Sequence, residues 1–238
     1  MIDHNIFYIP PHFFSGNEVT IQDPELHHIK KVLRKKVGER ICLIDGRGHR
    51  FEAEITGLSK SLMKVRVLHK RRMPRKRPIE ITVGFVPVKG LRNETIVEKG
   101  TELGVKRFVA FVSKRSVIKD FSKQKIERFK KIAASALAQS QQYYMPEVFF
   151  DKNLETLLAN SEEYDCVLLA DPRGKSEVPL GGRRILLMIG PEGGFADSEM
   201  DACVQHGVQF LSLGPTRLRS ETAAIVGVSK ILAAYRLI

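Results

Sequence analysis

Hydrophobic and polar positions alternate in short runs over the first seventy residues and then change period. Ile6-Phe7-Tyr8-Ile9 is closed by Pro10-Pro11, and Glu18-Val19-Thr20-Ile21, Phe51–Ile55 and Met63–Val67 each alternate as half-buried strands do. Glu39–Asp45 runs into Gly46-Arg47-Gly48, a hairpin-like turn signal. Between these runs, Pro24 through Lys36 has helical spacing, with Leu26, Ile29, Lys30 and Leu33 on one face. Residues 1–72 therefore read as a small β-rich barrel with one helix.

Beyond the basic, proline-flanked stretch 69–78, which marks the boundary to a second domain over 73–238, strands alternate with helices. Strands are expected at 79–86, 107–112, 165–170, 184–189 and 209–213, and helices near 90–103, 122–141, 197–206 and 221–235. In the helix from Lys123, Ile126, Phe129, Ile132, Ala133, Ala136 and Leu137 recur at three-to-four spacing. Such alternation predicts an α/β fold, a mostly parallel sheet with helices on both faces.

Two glycine-bearing loops fall on strand-to-helix turns of this second domain. Gly190-Pro191-Glu192-Gly193-Gly194-Phe195 follows Ile185–Ile189, and Leu213-Gly214-Pro215-Thr216-Arg217-Leu218-Arg219 follows Phe210–Leu213. Turns at the carboxyl ends of strands are where open α/β sheets bind ligands. Glycine lets backbone N–H groups approach a ligand with no Cβ between. The pair reads as a cofactor cradle.

Charge adds a partner. The net charge is +12 on 238 residues, which points to a polyanion, nucleic acid before membrane. Six Lys/Arg fall within Lys70–Arg77 and six more between Lys30 and Arg40. No run is long and apolar enough to span a bilayer, and Met1–Phe7 lacks the basic start and apolar stretch of a signal peptide, so the cytoplasm is expected. Three cysteines without a CxxC pair read as free thiols. The adjacent His27-His28 pair is poorly placed to chelate, and no metal is expected.

Four motifs in order now carry a resemblance. Gly190–Phe195, Leu213-Gly214 with Leu218-Arg219 and Glu221-Thr222-Ala223, the segment Lys89-Gly90 through Leu103-Gly104-Val105, and His28 with Val32-Leu33-Arg34 resemble the ribosomal small-subunit methyltransferase E family across essentially the whole chain. The resemblance implies a SPOUT-type domain with a C-terminal trefoil knot behind an N-terminal PUA-like RNA-binding barrel, usually as a homodimer. It also implies methylation of N3 of one uridine in 16S rRNA of the small ribosomal subunit, with S-adenosylmethionine as donor.

On that resemblance, Leu169, Ala170, Ile189, Gly190, Pro191, Glu192, Gly193, Leu213, Gly214, Leu218 and Arg219 match the three cofactor loops. Arg219 also matches the place of a cation that could stabilise charge developing on the pyrimidine. Its alternative is an ion pair with Glu221, and no side chain stands out as general base. Ser220 is expected to cap the last helix. For RNA, His28, Lys31, Arg34 and Lys35 would form a cationic stripe on the N-terminal helix, Arg71, Arg72, Arg75 and Lys76 would act from the linker, and Arg92 and Lys99 share a helix face. Two positions depart from the family pattern: Asn5 near the first strand, and Gln142 after Gln139-Ser140, where relatives carry basic residues.

Three other readings stay open. One is a SPOUT methyltransferase for a different RNA atom, such as a tRNA ribose 2′-hydroxyl. Another is a non-catalytic ribosome-assembly factor. A phosphate cradle in a nucleotide-using enzyme is a third, against which stands the lack of GxxxxGK[ST] and of GxGxxG after a strand.

Overall fold

The computed structural model describes residues 6–23, 25–27, 29–30, 33–75, 77–119, 121–151 and 153–238. The chain divides into two compact units, Met1–Lys76 with Ala134–Met145, and Arg77–Ala133 with Pro146–Ile238. The boundary expected at 72/73 made no provision for the returning segment 134–145.

In the first unit, β1 (Ile6–Tyr8), β2 (Phe14–Ser15), β3 (Glu18–Ile21), β4 (Arg40–Ile44), β5 (His49–Leu58) and β6 (Met63–Arg72) form a six-stranded sheet in the order β1-β4-β5-β6-β3-β2. β1 and β4 are parallel; the remaining pairs are antiparallel. Alternation sends Phe51, Ala53 and Ile55 of β5 and Met63 and Val65 of β6 into one core with Phe7, Ile21, Leu26 and Leu43. The β4–β5 turn is built on Asp45, whose Oδ1 accepts from the Arg47 and His49 N–H groups at 2.8 and 3.1 Å. Its Oδ2 lies 2.7 Å from His49 Nδ1. Gly46 and Gly48 take φ of 70° and 94° there.

Two expectations are corrected here. Of the helix expected over 24–36, the described residues show one α-turn, α1 (Glu25–His27), and a wider π-type turn at Ile29–Lys30; residues 24, 28, 31 and 32 lie outside the described residues. Arg34 stands at φ 54° and Lys35 N–H reaches back to Ile29 O at 3.2 Å, a left-handed closure that ends the helical segment early. The basic stretch 69–78 is not all linker: β6 runs through it to Arg72, pairing Arg50 with Arg71 and His49 with Arg72. The ladder to β5 carries the strand that far, while Arg71 and Arg72 keep their charged ends in solvent.

The second unit holds β7 (Glu80–Phe85), β8 (Arg107–Ala110), β9 (Glu147–Phe150), β10 (Cys166–Lys175), β11 (Arg184–Ile189) and β12 (Gln209–Leu211), all parallel, in the order β12-β10-β11-β7-β8-β9. Ile81–Phe85 and Ile185–Ile189 are buried without interruption, the mark of strands covered on both faces. The helices are α2 (Arg92–Glu102), α3 (Lys123–Gln139), which begins in this unit, α4 (Leu154–Ala159), α5 (Asp197–Gln205) and α6 (Ser220–Ala234). Helix α6 packs on α2, β11 and β7, and Gly227 permits it: a Cβ there would lie 2.7 Å from Leu187 Cδ2. The edge strand β9 and the six-residue α4 were not expected.

Strand β10 also runs further than expected. Leu211 of β12 pairs with both Ala170 and Lys175, so Asp171–Gly174 bulges out between two contacts with one residue. Asp171 closes that bulge by accepting from Arg173 Nε and Nη2, each at 2.9 Å, which holds its carboxyl below the usual carboxylate range. Cys42, Cys166 and Cys203 are free and buried. Among the described residues, no helix is long and apolar enough to cross a membrane, and no group of three or more His, Cys, Asp or Glu could hold a metal ion.

Candidate cofactor and RNA site

Parallel pairing of β12, β10 and β11 brings the carboxyl ends of all three strands to one edge of the sheet. There Gly190–Phe195 and Leu213–Arg219 follow β11 and β12, and Leu169-Ala170 lies just before the bulge within β10. Phe195 anchors the middle loop: it is buried, lies nearly parallel to the Phe111 ring at 6.3 Å, and sits so close to Gly190 that a Cβ there would meet its ring at 2.7 Å. Gly194 N–H closes a turn on Pro191 O at 2.9 Å, with Gly194 at φ 70°. In the third loop Gly214 takes φ 137°, a conformation that favours glycine.

The second and third loops are tied to each other. Arg217 Nη2 donates to Glu192 O at 2.6 Å, and Ser220 Oγ to Gly190 O at 3.5 Å. Arg92, on the first turn of α2, donates from Nη1 to Glu192 Oε1. Arg115 reaches Gly193 O at 3.2 Å. Behind them, the buried Glu199 accepts from Ala196 N–H through Oε2 and from Lys114 N–H through Oε1, each at 2.8 Å. One carboxylate therefore caps α5 and fixes the segment that carries Arg115.

Half-buried Leu213 and Leu218 supply apolar wall, with Leu169 and Ile189 packed in the core beneath; the glycine turns supply backbone donors and acceptors. Gly193 and Gly214 have no atom within 4 Å of an added Cβ, so open space faces them. An apolar wall interleaved with backbone polar groups suits an amphipathic nucleoside such as S-adenosylmethionine. The residues present fit that ligand.

Arg219 is the N-cap of α6 and exposed; among the described residues it makes no ion pair, with Glu221 or any other carboxylate. Ser220, expected as the cap, is one residue inside the helix and turned to Gly190 instead. Glu221 Oε2 is buried and has no hydrogen-bond partner among the described residues. Of the residues expected to meet RNA, Arg34, Arg71, Arg72 and Arg75 are exposed, but Arg34 and Lys35 follow the helical turn rather than line its face. Lys35 is near Glu39, at 3.9 Å. Lys99 bonds Glu98 and Glu102 at 2.8 Å, which raises its pKa. His28, Lys31, Lys76 and Asn5 lie outside the described residues. Sequence reading missed Arg115 and gave Arg217 no role; the second stood inside a quoted loop, while the first carries no motif.

The RNA methyltransferase domain family matches residues 75–232, and the RNA methyltransferase PUA domain family matches residues 21–68. A curated relative from Bacillus subtilis, ribosomal RNA small subunit methyltransferase E, is 31% identical over 89% of this chain and 88% of its own. The chain belongs to the ribosomal RNA small subunit methyltransferase E family. The Synechocystis member is 30% identical over 90% of this chain and 73% of its own. A crystal structure of the Neisseria gonorrhoeae member bound to S-adenosylmethionine superposes with a TM-score of 0.85 at 27% identity, covering 96% of this chain and 97% of that one. The fold is accordingly α/β with a PUA-like domain.

Proposed function

We propose that this family member is a cytoplasmic, homodimeric enzyme that methylates N3 of one uridine in 16S rRNA of the small ribosomal subunit. The observation that carries the reading is the meeting, at the carboxyl edge of β11 and β12, of two glycine-bearing loops tied together by Arg217 and Ser220. S-adenosylmethionine, when bound, supplies a methyl group on a sulfonium that leaves as a neutral thioether. Leu169, Ala170, Ile189, Gly190, Pro191, Glu192, Gly193, Leu213, Gly214 and Leu218 would hold it. The PUA-like residues 1–72 would bind RNA and residues 73–238 carry the transfer.

Uracil N3 carries a proton in the neutral base, so that proton must leave before N3 can use its lone pair. Arg219 is exposed on the third loop with no carboxylate bound to it among the described residues. Its guanidinium would stabilise the negative charge that spreads from N3 over the flanking carbonyl oxygens. Strand order also supports a trefoil knot: β12 lies beyond β10 although β11 intervenes in sequence, and the Gly174 backbone closely approaches that of Phe210–Leu211.

The test is to incubate the protein with unmethylated small subunits and labelled S-adenosylmethionine, then identify modified nucleosides by mass spectrometry. The expected product is 3-methyluridine in 16S rRNA, reduced about 100-fold or more by Arg219→Ala. Any other methylated nucleoside overturns the N3 assignment and leaves the cofactor reading in place. Sedimentation at micromolar concentration tests the dimer.

A further inference from the structure

The first unit contains a groove of about 840 Å³ whose lining includes Arg47, Arg72, Met73, Arg75 and Tyr144. Tyr144 is fixed within it. Its hydroxyl donates to Met73 O at 2.8 Å, and its ring fills the space a side chain at Gly48 would need, where a Cβ would meet Cζ at 2.4 Å. The Arg75 guanidinium lies over that ring, 4.7 Å from its centroid. Arg47 stands at the tip of the turn that Asp45 braces, and Arg72 ends β6. No acidic residue is among the described lining residues.

A guanidinium stacked on an aromatic ring keeps its in-plane donors and presents its other face as a flat cation. Nucleic-acid bases stack on such planes, and arginine forks bind phosphate. A concavity of this size holds something near a nucleotide, whereas a duplex is met mostly along its outer backbone. We propose that this groove seats one unstacked nucleotide of the rRNA, in addition to the one that is methylated. Its base lies on the Arg75 plane and its phosphate between Arg47 and Arg72. Tyr144 acts as a positioning residue that holds Arg75. The proposal rests on the reading of the chain as an rRNA methyltransferase.

Methyl transfer to unmethylated small subunits, with KM and kcat resolved, tests it alongside anisotropy of a labelled 12-nucleotide single-stranded RNA and of its duplex. Arg75→Lys keeps the charge and removes the plane. It is expected to raise KM about 10-fold, with the loss carried by KM rather than kcat, and to leave the salt dependence of RNA binding as it was. Arg47→Gln should flatten that dependence by about 0.7 in log–log slope. Tyr144→Leu should follow Arg75→Lys, and Tyr144→Phe, which keeps the ring, should weaken binding less. Circular dichroism and thermal melting report whether each variant is folded; if Tyr144→Leu is not, Arg75→Lys decides.

Wild-type KM in Arg75→Lys overturns the proposal, as does tighter binding of duplex than of single strand. If the wild-type protein transfers no methyl group to the subunits, the rRNA reading fails and the proposal with it.

Discussion

Arg92 and Glu192, one hundred residues apart, meet where the first turn of α2 touches the loop after β11. Both side chains are well exposed, 35% and 56%, so the pair contributes under about 1 kcal/mol to folding. Its consequence is positional: with Arg217 on the Glu192 carbonyl, it fixes the one acidic residue of the glycine loop. Arg92→Ala is expected to leave the melting temperature nearly unchanged and to weaken S-adenosylmethionine binding by about 2- to 5-fold. The exchange of Arg92→Glu with Glu192→Arg should recover part of that loss. Calorimetry decides, and an unchanged affinity in Arg92→Ala would free Arg92 for a role on RNA alone.

Glu199 supports the same loop from inside. It is 2% exposed and satisfies two backbone N–H groups, those of Ala196 and Lys114. Glu199→Ala leaves both donors without their charged acceptor, a cost of about 3 kcal/mol. That is about 6–12 °C in melting temperature for a chain of this size. Glu199→Gln retains one acceptor oxygen and should lose less. Thermal and urea unfolding measure the difference; a loss below 1 °C for the alanine variant would mean that water replaces the carboxylate.

The two glycine-bearing turns could be read in the sequence because glycine and proline act through local backbone geometry, and Gly190, Gly194 and Gly214 sit where such geometry is needed. The long central strands were equally legible, since Ile185–Ile189 must be covered on both sides wherever it lies. What failed to show was pairing between distant segments. Nothing local to residues 69–78 distinguishes a linker from a strand; the opposing residues of β5 make it one as far as Arg72. Tyr144 and Met73 are 71 positions apart, so no periodicity could join them into a groove. Glu199 lies in the first turn of α5, and its second partner, Lys114, comes from a separate segment, so nothing local shows that pairing.

Asp165 joins the start of β10 to that of β11. Its Oδ2 accepts from the Arg183 and Arg184 N–H groups at 2.9 Å, and Oδ1 from Arg184 Nη2 at 2.6 Å. The Arg184 guanidinium first, then the two backbone donors, hold its pKa well below the usual carboxylate range. A folded-state pKa below the unfolded value stabilises the protein above the unfolded value, near pH 4, and that contribution is lost as pH falls toward the folded one. The gap in urea midpoint between wild type and Asp165→Asn should thus be constant from pH 8 to pH 5 and narrow steadily below pH 4. A gap that holds its full size down to pH 2 contradicts this account.

Gly174 and Gly193 separate the demands of fold and ligand. At Gly174 a Cβ would stand 2.3 Å from Phe210 C and 2.4 Å from Leu211 N, both backbone atoms of the neighbouring segment. No rotamer relieves that contact; β12 would have to move off β10. Gly174→Ala is expected to cost about 3 kcal/mol, lowering the melting temperature by about 6–12 °C. It should impair cofactor binding with it, because β12 leads into Leu213–Arg219. At Gly193 nothing lies within 4 Å of an added Cβ. Gly193→Ala should melt within about 2 °C of wild type while its methyl group intrudes on the space before the loop and weakens S-adenosylmethionine binding. Melting curves and calorimetry on both variants give the comparison. Equal stability would show that the strands part easily at Gly174; equal cofactor affinity in Gly193→Ala would show that the ligand lies away from Gly193.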